Sequence, residues 1–368
     1  MSQDHPGSNA VWTWLAPAAA SVLLFAKFAG LVDLSSGIAL ALSAALLGGA
    51  VFASVHHAEV LALRLGEPFG SILLALAVTV IEVALIVSIM VSGAEGSDQV
   101  ARDTVFSAVM IVLNGVVGLC LIFGGQRHYE QSFRLDGASA ALAVLGTLAT
   151  LALVLPNYTL AISGPEYSPI QLVFIGAASL ALYLVFVFVQ TIRHRDYFLD
   201  ATEPEFAADQ PAHAKPTSST AAASAGLLLV SLTAVVLLAK ILSYPLDAAI
   251  TSAGLPKTFV GVVIATVVLL PEGIASIRAA LFNRLQNSIN LALGSALASI
   301  GLTIPAVAVV SLITGSKLTL GLIPESIVLL VLTLFVSTLT LGTGRTTVLQ
   351  GAIHLVIFAT FLLLSAIP

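Results

Sequence analysis

The sequence predicts an all-α polytopic membrane protein of about eleven transmembrane helices: one extra N-terminal helix, then two inverted five-helix repeats. Three observations predict it. The 368-residue chain is 58% hydrophobic and 9% charged, with a mean hydropathy of +1.06, whereas soluble domains carry about 25% charged residues. Its apolar runs are long enough to cross a bilayer as helices, which takes about 20 residues each. Each half holds one glutamate isolated in such a run: Glu82 in SILLALAVTVIEVALIVSIMV and Glu272 in FVGVVIATVVLLPEGIASI.

The runs between polar breaks lie near 12–31, 36–62, 69–93, 103–124, 137–155, 168–190, 224–243, 257–281, 287–314, 323–342 and 346–367. They lack the ten-residue alternation of an outer-membrane barrel. Asp33 and Ser35-Ser36-Gly37 mark the first break, and Arg102-Asp103 and Arg284 mark charged turns. One long polar segment, 191–223, reads as an acidic, solvated tether by its Pro, Ala and Ser content. The organisation is therefore an N-terminal helix (1–35), a first five-helix repeat (36–190), the linker (191–223) and a second repeat (224–368). Five spans is an odd number, so the second repeat enters the membrane inverted, an architecture common in transporters. The layout agrees: Pro68-Phe69-Gly70 leads to Glu82 twelve residues after its glycine, and Phe259-Val260-Gly261 leads to Glu272 eleven after its own.

Orientation follows the distribution of Lys and Arg. Arg64, Arg127, Arg134, Arg193, Arg195, Lys215, Arg278, Arg284 and Arg345 fall on the side of the N-terminus. Lys27, Arg102, Lys240, Lys257 and Lys317 fall on the other. This excess places the N-terminus and linker in the cytoplasm and the C-terminus outside the inner membrane. The first ten residues carry no Lys or Arg, unlike a cleaved signal peptide. A single cysteine, Cys120, excludes a disulfide framework. No polybasic tract points to nucleic acid. The expected partners are the lipid bilayer, inorganic cations and protons, and no resident cofactor is implied.

A carboxylate at membrane depth is costly, so each glutamate is a functional candidate. A lone membrane glutamate can also glue helices, at a benefit of about 0.6 kcal/mol; two at matching positions favour function. Brought together in a low dielectric, two such groups must bind a cation or take up protons, and would titrate as a coupled unit. Competition between metal and proton then yields antiport. Pro271 precedes Glu272 and has no N–H, so the Val267 carbonyl loses its helical donor and becomes a candidate ligand. Thr79 shares the face of Glu82, and Ser276 that of Glu272. Asn114, Ser295 and Ser299 are candidates to complete the shell, with helix packing as their competing role. His56, His57 and Glu59 read as a solvated interface, with His57 and Glu59 as candidates for proton or ion access. His354 reads as a packing residue, with a proton relay as the alternative. No span shows the polar stripe of a channel. No zinc motif, paired membrane aspartates or nucleophile with an adjacent base suggests an enzyme.

The segment LRLGEPFGSILLALAVTVIEVALI resembles the first signature of the calcium/proton antiporter family, with Glu82 at its acidic position. VVLLPEGIASIRAALFNRLQNSINLALGSALASIGLTIP is similar to the second, with Glu272 at the acidic position and Gly294-Ser295 and Pro305 in place. The tail TLGTGRTTVLQGAIHL looks like the enteric-bacterial branch. The resemblance implies the eleven-helix fold and proton-driven calcium export, with both glutamates shared between cation and protons. Typical members carry Asn three residues before each acid; here Thr79 and Leu269 stand there. Fewer side-chain oxygens make sodium or potassium the competing cargo.

Overall fold

A computed structural model describes residues 11–32, 36–66, 69–93, 96–199 and 215–368. It is all-helical apart from a two-residue antiparallel ribbon joining Gln131–Ser132 to Arg345–Thr346 and one isolated bridge, Glu166 to Thr319. The helices are α1 (Val11–Phe28), α2 (Gly37–Leu65), α3 (Phe69–Ser92), α4 (Val100–Met110), α5 (Val117–His128), α6 (Leu135–Ala149) and α7 (Pro169–Phe188). They continue with α8 (Ser218–Ser252), α9 (Phe259–Leu281), α10 (Leu285–Thr314), α11 (Pro324–Leu341) and α12 (Val348–Ala366). A π-helical turn, Ile111–Val116, fuses α4 to α5 in one span. Among the described residues eleven helical segments are long and apolar enough to cross a membrane, as the sequence predicts.

Two boundaries differ from the sequence reading. α8 begins at Ser218, inside the expected linker. The Thr217 hydroxyl accepts the Thr220 N–H there, so a Ser/Thr-rich stretch that reads as tether caps a helix instead. At the other end of the linker, Arg195–Phe198 forms a 3-10 turn that keeps Arg195 and Asp196 exposed but buries Phe198. Phe198 meets the Phe186 ring edge-on at 5.9 Å, and its carbonyl accepts from Asn290 Nδ2. The linker residues 200–214, with Asp200, Glu203, Glu205, Asp209 and His213, lie outside the described residues.

The chain divides into two compact units. The first comprises Met1–Ser92 and Ala207–Ala249, hence α1, α2, α3 and most of α8. There α2 packs against both α1 and α3, and Ala58, Ala77 and Leu228 form a small core shared by α2, α3 and α8. Arg64 at the end of α2 donates to the Pro216 carbonyl and the Ser218 hydroxyl, tying down the start of α8. The second unit comprises Gly93–Phe206 and Ile250–Pro368. Its centre is the α4–α5 span, 89% of whose apolar window is buried against 56% for α9. Around it pack α9 on α4, α12 on α5, and α10 on α9, α7 and α6.

Candidate functional site

In the first unit, Glu82 is the fourteenth residue of α3 and 3% exposed. Ile81, Leu85 and Ile86 beside it are buried, so the carboxylate belongs to a packed face. Thr79, one turn earlier, is also buried, and its Oγ1 donates to the Ala75 carbonyl at 2.8 Å. That bond uses its single proton and leaves the oxygen lone pairs as acceptors.

In the second unit, Glu272 is the fourteenth residue of α9 and 8% exposed. The two glutamates thus occupy the same register of their helices. Pro271 lies inside α9, which removes the helical donor to the Val267 carbonyl. Ser276, one turn beyond Glu272, is fully buried, and its hydroxyl has no hydrogen-bond partner among the described residues. Two glycines bring α9 close to the central span. A Cβ on Gly261 would lie 2.5 Å from the Asp103 carbonyl carbon, and one on Gly273 3.3 Å from Val116 Cγ2. On α10, Ser299 is buried and Ser295 half-buried. No group of three or more His, Cys, Asp or Glu side chains able to hold a metal occurs among the described residues.

The other candidates separate from these glutamates. Asn114 lies in the π-helical turn with both ends of its amide engaged: Oδ1 is 3.0 Å from His354 Nδ1, and Nδ2 donates to Thr333 Oγ1 at 2.9 Å. His354, read from sequence as a packing residue with a proton relay as the alternative, is part of a buried polar chain, and Thr333 is a member that sequence reading missed. His57 is fully buried rather than at a solvated interface. Its Nε2 is 3.1 Å from the Thr13 carbonyl and its Nδ1 3.3 Å from Ser224 Oγ. A carbonyl only accepts, so Nε2 carries the proton and Nδ1 accepts from the serine. Glu59 is exposed.

The Arg102-Asp103 pair, expected in a charged turn, is buried at the start of α4. Arg102 Nε donates to Asp103 Oδ1 at 2.7 Å, and its terminal nitrogens donate to the Gly321 carbonyl and Gln99 Oε1. Full hydrogen bonding is what lets such a pair stay buried. The pair borders a cavity of about 310 Å³ that Ser107, Thr258 and Glu325 also line.

Eleven apolar helices among the described residues, with a buried glutamate at the fourteenth residue of one helix in each half, make this a polytopic membrane protein. The sodium/calcium exchanger protein family matches residues 35–192 and 223–367, and the chain belongs to that family of antiporters, within the calcium/cation antiporter superfamily. It is 62% identical over 359 residues to the y4hA protein of Sinorhizobium fredii, covering 97% of this chain and 96% of that one. It is 37% identical over 321 residues to the sodium-potassium/proton antiporter ChaA of Escherichia coli, covering 87% of each chain. Native YfkE has the same fold, with a TM-score of 0.73 at 16% identity over 97% of this chain and 100% of that one.

Proposed function

We propose that the protein exports cytoplasmic cations across the inner membrane in exchange for external protons, by alternating access. The observation that carries this reading is the pair of buried carboxylates, Glu82 and Glu272, each the fourteenth residue of its helix. Each serves cation and proton in turn. A bound cation neutralises the carboxylate and displaces its proton; protonation neutralises it and expels the cation. An empty, ionised carboxylate at membrane depth is the costly state, so neither ion leaves readily until the other replaces it. That mutual exclusion gives exchange rather than leak.

We favour sodium or potassium as cargo. Calcium takes 6–8 oxygen ligands, whereas Leu269 offers none and Asn114 spends its amide on His354 and Thr333. Ser276 and the Val267 carbonyl are the supplementary donors on α9, with Ser299 on α10. The ChaA relative, named for sodium and potassium exchange, supports the same choice. Calcium, the reading implied by the family resemblance, is the second.

Everted vesicles holding an inward-acid gradient test this directly. Sodium or potassium should collapse the gradient with the intact protein and fail to do so with Glu82→Gln or Glu272→Gln. Collapse by calcium alone would keep the mechanism and reverse the cargo. Collapse by no cation, or by both variants as well as by the intact protein, would contradict the reading.

A further inference from the structure

We infer that His354 is a third proton-binding group of the exchanger, taking its proton at Nε2 and communicating with the Glu272 helix through the π-helical turn Ile111–Val116. The inference rests on the antiport reading above and adds a protonatable group to it.

The hydrogen-bond chain fixes the state of the imidazole. Met110 Sδ only accepts; it lies 3.4 Å from Thr333 Oγ1 and 3.8 Å from Asn114 Nδ2. The Thr333 hydroxyl therefore gives its one proton to sulfur and accepts from the Asn114 amide at 2.9 Å. The amide oxygen of Asn114 is then turned to His354 Nδ1 at 3.0 Å. An amide oxygen cannot donate, so Nδ1 holds the proton of the neutral ring, and Nε2 is left as a bare acceptor. His354 is fully buried, and its Nε2 has no hydrogen-bond partner among the described residues. A packing histidine would have both nitrogens satisfied. This one keeps a basic nitrogen in reserve.

The same turn touches both helices. A Cβ on Gly115 in the turn would lie 3.2 Å from the Phe358 ring, and one on Gly118, two residues beyond the turn on α5, 3.1 Å from His354 Cβ, both partners being on α12. On the α9 side, Val116 packs where Gly273, the neighbour of Glu272, has no side chain. π-helical turns interrupt the regular ladder and mark functional positions in membrane helices as elsewhere. Protonating Nε2 places a positive charge in an apolar setting, which is costly without a compensating anion. The proton is thus best held when Glu272 is ionised and empty, and is released when a cation arrives there.

The charged and titratable groups on the elements packed against α12 are few. They are Arg102 and Asp103 on α4, whose Phe106 ring meets Phe361 of α12, Cys120, Arg127 and His128 on α5, Glu325 on α11, and Glu272 and Arg278 on α9. The π-helical turn and the rest of α12 carry none. Arg127 and His128 lie nine and ten residues along the helix from Gly118, about 14–15 Å at helical rise. Glu325 is eight residues from Thr333, about 12 Å away.

The test uses purified full-length protein with ¹⁵N-labelled histidine, alongside proteoliposomes for exchange. His354→Gln, which keeps an amide for Asn114 but no titrating nitrogen, assigns the signal; His354→Ala controls for loss of the ring. Of the seven histidines, one should show an unprotonated Nε2 that vanishes in His354→Gln. That signal should move on acidification, with a midpoint displaced by saturating sodium. The pH profile of exchange should shift by about one unit in His354→Gln, the scale over which histidine environments move its titration. A proton-bearing Nε2 at every pH, or a variant profile superimposable on that of the intact protein, overturns the proposal. If the intact protein exchanges no cation, the antiport reading fails by itself, and the nitrogen titration still decides whether His354 binds a proton.

Discussion

Pro17 removes a donor from α1, and His57 replaces it. The Thr13 carbonyl is the one Pro17 would have bonded as the fourth residue on, and His57 Nε2 reaches it from α2. Removing the ring leaves a buried carbonyl without this donor, at a cost of about 1–3 kcal/mol. His57→Ala should therefore lower the melting temperature of the detergent-purified protein. Pro17→Ala should soften that loss, because the helix then supplies its own N–H; additive effects would refute the pairing. Sequence reading found the residues here but not their roles. It singled out both glutamates as candidates, because an isolated charge in an apolar run is visible locally. It could not pair His57 with Thr13 and Ser224, 44 and 167 residues away, nor His354 with Asn114, 240 residues away.

At the scale of elements, the apolar runs located the spans because bilayer thickness acts on each helix separately. What they did not reveal were the π-helical turn inside the fourth span and the burial of Arg102 and Asp103 at its start, both of which depend on neighbours. Close approach of α9 to the central span is likewise a tertiary fact, and it yields a graded prediction. Gly261→Ala sets a Cβ 2.5 Å from backbone, which cannot yield cheaply; Gly273→Ala meets the Val116 methyl at 3.3 Å. Overpacking of the first kind costs about 1–3 kcal/mol. Gly261→Ala should lower both thermal stability and exchange rate markedly, and Gly273→Ala only slightly. Equal effects of the two in a melting and transport series would count against this packing.

For the whole molecule, the distribution of Lys and Arg predicts a C-terminus on the outer side. Protease added to intact spheroplasts should remove a C-terminal epitope tag that everted vesicles protect; the reverse pattern would invert the topology. The central claim is that cation and proton compete for the same carboxylates. The most direct measurement is proton release from the purified, weakly buffered protein when sodium or potassium is added at fixed pH. The account predicts release that saturates with the cation and disappears in Glu272→Gln and Glu82→Gln. Cation binding without proton release, or undiminished release from both variants, would contradict it.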